Sequence, residues 1–274
     1  MGPKNKYYFI SDVHLGVCSC DRRALEERFV SLIESIGPEA AGVYLLGDIF
    51  DFWYEYRYVI PRGHTRALGA LARLCDSGTE VYFFPGNHDV WAYSYFEQEI
   101  GMKVLRQPYV TEICGRRFCL GHGDGLGRTE PSFRLIRWMF HNRFLQVLFS
   151  SIHPKWAFGL GYAWASHSRK VKNGPERAGR YVFRGEDEPL CHFADDFGRQ
   201  YRAAHEGRGI DYYIFGHYHT PGAVSVPSGG EMHILGCWVD GGEYAVFDGA
   251  ELRIISAVRP SGTVQQAPGD FSRK

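Results

Sequence analysis

The chain has 274 residues, 45% of them hydrophobic and 23% charged, enough apolar material for a buried core, which excludes a disordered chain. That length points to one large domain, or a domain carrying an insertion, rather than a string of modules. Thirty-one Lys and Arg balance thirty-one Asp and Glu, so the total charge names no partner and only its distribution can.

Met1 to Lys6 lead directly into Tyr7-Tyr-Phe-Ile10, an apolar run too short for a signal peptide. Lys6 also stands where a myristoylation signal has Ser or Thr. No stretch of about 18 uncharged apolar residues occurs, so no spanning helix is expected. Seven cysteines, an odd number without Cys-x-x-Cys spacing, read as free structural thiols in a reducing compartment. The expected location is the cytoplasm.

Tyr7–Ile10 predicts a strand, and Arg22–Ile36 a helix with Leu25, Phe29, Leu32, Ile33 and Ile36 at helical spacing. Val43–Leu46 predicts a second strand, Thr65–Cys75 a helix and Val81–Phe84 a third strand. This alternation argues for a parallel sheet covered by helices. Later runs, Arg117–Leu120, Tyr212–Phe215, Glu231–Leu235, Tyr244–Phe247 and Leu252–Ile255, read as strands joined by short turns. A mixed sheet or two packed sheets follow. Pro260 to Lys274 reads as a disordered tail.

Composition shifts between Leu126 and Gly185, where eleven Lys or Arg meet only Glu130 and Glu176, a net +9 that leaves −9 on the rest of the chain. The same stretch carries Phe133, Leu135, Ile136, Met139, Phe140, Phe144, Val147, Leu148 and Phe149 at helical spacing, with Trp138, Trp156 and Trp164. Such a basic, amphipathic, Trp-bearing segment resembles a membrane-surface or lipid-handling element. The plainer reading is a helical subdomain whose apolar face is ordinary core.

Five short motifs end strand-like runs: Ser11-Asp12-Val13-His14, Gly47-Asp48-Ile49-Phe50-Asp51, Gly86-Asn87-His88-Asp89, Gly121-His122-Gly123-Asp124 and Gly216-His217-Tyr218-His219. Ligands gather at the carboxyl ends of strands in sheet proteins. Two carboxylates, one amide oxygen and four imidazoles could surround a pair of metal ions if those strands are neighbours. Mixed oxygen and nitrogen donors suit Mn²⁺, Fe or Zn²⁺ better than Ca²⁺. Each motif alone is weak; their joint occurrence in this order carries the inference. No nucleophile with an adjacent base stands out, and the cysteines fall outside the motifs, which disfavours a thiol mechanism.

In these residues the sequence resembles the calcineurin-like metallophosphoesterases, whose pattern D-x-H, G-D-x-x-D, G-N-H-D, G-H and G-H-x-H spans Asp12 to His219 here. The resemblance implies an α/β fold, a two-sheet β-sandwich flanked by helices with a dinuclear metal site at one edge. Carried over, Asp12, His14 and His219 hold one metal, Asn87, His122 and His217 the second, and Asp48 bridges. His88 then sits near the leaving group or phosphoryl oxygens, with Asp89 as its orienting partner. Two divalent transition metals are implied, Mn²⁺ foremost.

Phe9-Ile-Ser-Asp-Val-His-Leu-Gly16, Gly47-Asp-Ile-Phe-Asp-Phe-Trp53, His122-Gly-Asp124 and the helical insertion before Gly216 resemble, more narrowly, the UDP-2,3-diacylglucosamine pyrophosphatases of lipid A synthesis. One residue departs: the best-known members of that branch carry arginine where this chain has His88. The branch implies hydrolysis of an acylated UDP-sugar to UMP and a lipid monophosphate, at the cytoplasmic face of the inner membrane, by a peripheral protein. Residues 1–125 and 186–259 would form the core and 126–185 a cap over the metals. Ser166, Arg169, Lys170 and Lys172, with Asn87, are the candidate contacts to phosphates or sugar. The competing expectations are a phosphodiesterase or phosphatase for soluble phosphoesters and a scaffold that has lost catalysis. An apolar insertion is a poor groove for a nucleic acid, so none is expected as partner.

Overall fold

The structure, a computed structural model, describes residues 4–127, 131–173 and 181–257, with the side chains of 167–173 left out. The expected tail, residues 174–180 of the expected cap and the side chains of Arg169, Lys170 and Lys172 therefore lie outside the described residues.

Strand β1 (Lys6–Ile10), helix α1 (Arg22–Ile36), β2 (Ala40–Leu45), α2 (Thr65–Asp76) and β3 (Glu80–Phe83) follow the expected alternation. Asp21 starts α1, its carboxylate accepting from the amides of Arg23 and Ala24. Leu25, Phe29, Ile33 and Ile36 form the buried stripe of that helix. Strands β1, β2, β3 and β4 (Lys103–Val104) are parallel, and β10 (Glu243–Phe247) and β11 (Leu252–Ser256) extend the sheet antiparallel on the β1 side. The second sheet runs β5 (Tyr109–Ile113), β6 (Arg116–Leu120), β7 (Tyr212–Phe215), β9 (Glu231–Ile234), β8 (Gly222–Ser225), with β6, β7 and β9 parallel.

The two sheets face each other across Phe9, Tyr44, Leu46 and Phe84 from the first and Phe118, Leu120, Ile214 and Leu235 from the second. Helices α1 and α2 cover the far face of the first sheet. Helix α6 (Pro189–Ala204) covers the far face of the second through Leu190, Cys191 and Ala194. The order of layers is helix, sheet, sheet, helix, the expected sandwich. The later strands are not all joined by short turns, because α6 stands before β7, and β4, β5 and β8 add to the expected strands.

Between β6 and α6 lie α3 (Pro131–His141), α4 (Arg143–Ser150) and α5 (Pro154–Asn173). Asn142 breaks the apolar run into two helices, accepting from the amide of Leu145 as the cap of α4. Neither α3 nor α4 contains a fully buried residue: Phe140 and Phe149 are half-buried against the cluster of Phe52, Tyr54 and Trp91, while Leu135, Trp138, Met139, Val147 and Leu148 are exposed. Phe144 is 75% exposed, Val147 65% and Trp156 66%. Among the described residues, no helix is long and apolar enough to cross a membrane.

Candidate metal centre

The parallel strands β1, β2, β3, β6 and β7 end side by side, and each delivers one of the five motifs in the next few residues. Asp12, His14, Asp48, Asn87, His88 and His122 are buried, while His217 and His219 are half-buried. Asp12, His14, Asp48, His217 and His219 all have φ between 51° and 74°, the left-handed region that side chains with a Cβ avoid. Such conformations cost of order 1–3 kcal/mol each and persist where function requires them. The glycines are needed for close approach: a Cβ on Gly86 would overlap the Asp48 carboxylate, and one on Gly216 would overlap Ser11 and Asp12.

Two groups of acceptors converge. His14 Nε2 lies 3.1 Å from His219 Nε2, and His219 Nε2 lies 3.2 Å from Asp12 Oδ1. On the other side His122 Nε2 is 3.3 Å from Asp48 Oδ2 and 3.4 Å from Asn87 Oδ1. The His122 Nδ1–H donates to the Leu46 carbonyl at 2.9 Å, so in the neutral ring Nε2 is a bare lone pair facing two oxygens. His217 packs beside this group, its ring centroid 5.2 Å from that of His122. Asp12 Oδ1 and Asp48 Oδ2 are buried and accept no hydrogen bond among the described residues. Lone pairs crowded this closely, with buried orphan oxygens, repel one another unless cations stand between them. The donor set fits two divalent metals.

Asp48 Oδ1 accepts from the His88 amide at 2.8 Å, which leaves Oδ2 to face both His122 and, at 3.9 Å, His14 Nε2. A single oxygen, not the pair, thus lies between the two groups. Burial would raise the Asp12 and Asp48 carboxyls, but the surrounding imidazoles hold both well below the usual carboxylate range. Burial would likewise lower His14 and His122, yet the carboxylates push them up to about 9 and about 10. The site takes up protons in place of the positive charge it is built to hold.

A prediction follows for metal loading. Below pH 9 both imidazoles are protonated without metal and must lose that proton to become ligands. Loading at pH 7 should therefore release at least two protons, one from each of these rings, and affinity should rise with pH until the imidazoles are neutral. Calorimetry in buffers of different ionisation enthalpy measures this directly; no proton release would mean the rings are not ligands.

The profile of the calcineurin-like phosphoesterases matches residues 6–221. The chain belongs to this family. A UDP-2,3-diacylglucosamine hydrolase of Porphyromonas gingivalis is 38% identical over 262 residues, covering 92% of this phosphoesterase and 98% of its own chain. Proteins of the same name from Ralstonia nicotianae and Proteus mirabilis are each 29% identical, covering 84% of this chain and 83% and 90% of their own.

Within this phosphoesterase, one expected role is corrected. Asp89 does not orient His88: its Oδ1 accepts from the amides of Gly86 and Asp48, and its Oδ2 from those of Ile49 and Phe50. It braces the loop that carries Asp48, and burial together with the charge of Asp48 pushes its carboxyl up to about 7. The group that fixes His88 is the Asp51 carbonyl, 2.7 Å from Nδ1. A carbonyl only accepts, so Nδ1 carries the proton. Motif spacing cannot reveal a main-chain partner of this kind.

The described part of the insertion reaches the site. Phe133 of α3 lies 5.8 Å from the His217 ring, and Trp164 of α5 lies 5.7 Å from the His88 ring. Asp124 ties α3 down by accepting from Arg137 at 3.1 Å, which gives the His122-Gly-Asp124 motif its acid. A Cβ on Gly161 would collide with the Phe52 ring, so α5 rests directly on the loop that follows Asp48. Ser166 is half-buried, two residues beyond Trp164.

Proposed function

We propose that this phosphoesterase splits the pyrophosphate of UDP-2,3-diacylglucosamine into UMP and 2,3-diacylglucosamine 1-phosphate, a step of lipid A synthesis. The observation that carries this reading is the basic, apolar helical layer held within ring contact of His88 and His217, which suits an anionic substrate with long acyl chains. The names of the relatives point to the same substrate.

In this reading Asp12, His14 and His219 hold one metal, Asn87, His122 and His217 the other, and Asp48 Oδ2 lies between. Two divalent metals supply an activated water at neutral pH and positive charge for the phosphoryl oxygens. Mn²⁺ is the first candidate on the oxygen and nitrogen donors of the motifs. His88 acts on the phosphoryl or leaving-group oxygens, and Asp89 is a positioning residue through the Asp48 loop. Residues 126–185 act as a cap over a core of 1–125 and 186–259. Ser166, Arg169, Lys170 and Lys172 meet phosphates or sugar, with Arg169 suited to a bidentate contact. The exposed apolar face of α3 and α4, interspersed with Arg134 and Arg143, meets the cytoplasmic face of the inner membrane as a peripheral surface.

The deciding experiment compares a diacyl UDP-sugar with a soluble diester. Formation of UMP from the lipid substrate, with slow turnover of the soluble one, supports the proposal. Equal turnover of both would give precedence to a broad phosphodiesterase.

The cap offers a second test, because its two phenylalanines stand in different surroundings. Phe140 is half-buried against Trp91 and Trp164, at 4.8 Å from each ring, whereas Phe144 faces solvent. Phe140→Ser should cost about 2–3 kcal/mol of stability, less than a fully buried Phe would. Phe144→Ser should stay within about 0.5 kcal/mol. It should nonetheless raise KM for the acylated substrate on vesicles and leave a small chromogenic diester untouched. Equal effects on both substrates would mean that Phe144 meets no lipid.

A further inference from the structure

We propose that Cys237 is a further metal ligand, a thiolate on the Asp12, His14 and His219 side of the centre, and that this side selects a more thiophilic ion than Mn²⁺. The inference rests on the dinuclear reading above and sharpens it.

Strand β9 is parallel to β6 and β7 and ends at the same edge. Its exit repeats the pattern of the other ligand-bearing strands. Leu46-Gly47-Asp48, Leu120-Gly121-His122 and Phe215-Gly216-His217 each place a donor after an apolar residue and a glycine, and Leu235-Gly236-Cys237 does the same. The sulfur and one ring nitrogen each of His14 and His219 lie within 4.8 Å of one another, a spread that one coordination sphere spans. The position is fixed by the main chain: the Cys237 amide donates to the His219 carbonyl at 3.2 Å, and the Trp238 amide to the Asp12 carbonyl at 3.0 Å. The thiol is 4% exposed.

A second observation points to a ligand in the same place. Asp12 Oδ1, fully buried, has no hydrogen-bond donor among the described residues and faces His219 Nε2 at 3.2 Å. Two overlapping groups share the imidazoles of His14 and His219, one completed by the Cys237 sulfur and the other by the carboxylates of Asp12 and Asp48, and in such a mixed set the sulfur decides selectivity. Soft thiolate favours Zn²⁺, Fe²⁺ or Co²⁺, whereas Mn²⁺ prefers oxygen. Binding replaces the thiol proton, which leaves to solvent. Burial and the Asp12 charge push the thiol up, so it stays protonated until a metal arrives. The amides of Val239 and Asp240 hydrogen-bond the sulfur and favour its anion.

The test uses the full chain stripped of metal and titrated with Co²⁺ and, separately, Zn²⁺. The expected result is two ions per chain, a near-ultraviolet sulfur-to-cobalt charge-transfer band, and a zinc-edge scatterer at about 2.3 Å. Cys237→Ser should still bind two ions, lose the band and the sulfur scatterer, and lower Zn²⁺ affinity by roughly 10–100-fold while Mn²⁺ affinity changes little. Cys237→Ala repeats the experiment without a residual oxygen donor. Two ions with no band in the native chain, or a band that survives Cys237→Ser and so arises at another cysteine, overturns the proposal and leaves the dinuclear reading standing. Fewer than two ions in the native chain overturns the dinuclear reading itself.

Discussion

Asp48→Ala should lower kcat by roughly 10⁴-fold or more, about 5.4 kcal/mol of transition-state stabilisation, and should remove both metals together. The reason is local. Oδ2 faces His122 Nε2 at 3.3 Å and His14 Nε2 at 3.9 Å, so one deletion takes a donor from each group. Oδ1 holds the His88 amide at 2.8 Å, so the loop that carries Asn87 loses an anchor as well. Asp48→Asn separates the two effects. Its amide oxygen can keep the His88 contact, but an NH₂ group then points at the imidazoles where an anion belongs. That variant should lose stability at neutral pH, because the surrounding imidazoles hold the Asp48 carboxyl well below the usual carboxylate range and so favour its anion in the folded chain, and it should fail to load metal. Native metal content in either variant would exclude Asp48 as the shared ligand.

His88→Ala should lower kcat by roughly 10²–10⁴-fold, about 2.7–5.4 kcal/mol, with metal content intact. His88 reaches the site between Asp48 and the cap, its ring centroid 4.9 Å from His14 and 5.7 Å from Trp164. Burial pushes it down to about 4, so without substrate it is neutral at pH 7, with its only proton on Nδ1 and directed at Asp51. Nε2 can therefore donate to a phosphoryl or leaving oxygen only if the substrate's own negative charge raises the ring's pKa on binding. The sign follows: kcat should fall as pH rises through that pKa in the complex, because the donor is lost. The descending limb should vanish in His88→Ala. His88→Arg, with a donor charged at every pH, should restore part of the rate and remain flat across the same range. An unaltered limb in His88→Ala would assign it to another group.

Elements with clear apolar patterns were legible directly. Leu25, Phe29, Ile33 and Ile36 mark α1 to the residue by their helical period, and Tyr212–Phe215 marks β7 as a short continuous apolar run, the form of a strand buried on both faces. Helix α6 carries a similar stripe in Leu190, Cys191, Ala194 and Phe197, after a proline suited to a first turn, but the stripe is short and interrupted by His192, Asp195 and Asp196. Strands β5 and β8 were harder. Both lie at sheet edges with one neighbour each, where short half-exposed runs suffice.

The order of the donor motifs was enough to name the family and to group seven metal-ligand candidates, since a strand followed by glycine and a donor is a local arrangement. What the motifs do beyond their own loops was settled by packing. Asp89 lies beside His88 in sequence, yet its carboxylate turns to four main-chain amides, while the Asp51 carbonyl takes the ring. Cys237 lies outside the five family motifs although Leu235-Gly236-Cys237 repeats their local pattern, and only the parallel pairing of β9 with β7 brings its sulfur beside His14, 223 positions away in the chain. Apolar helices in the insertion were evident from spacing. That Phe140 and Phe149 pack on Trp91 while Leu135, Trp138 and Val147 stay exposed, and that Phe133 and Trp164 turn toward the donors, depends on what lies opposite each side chain. Periodicity encodes which residues share a face; the partner of that face is a property of the folded chain alone.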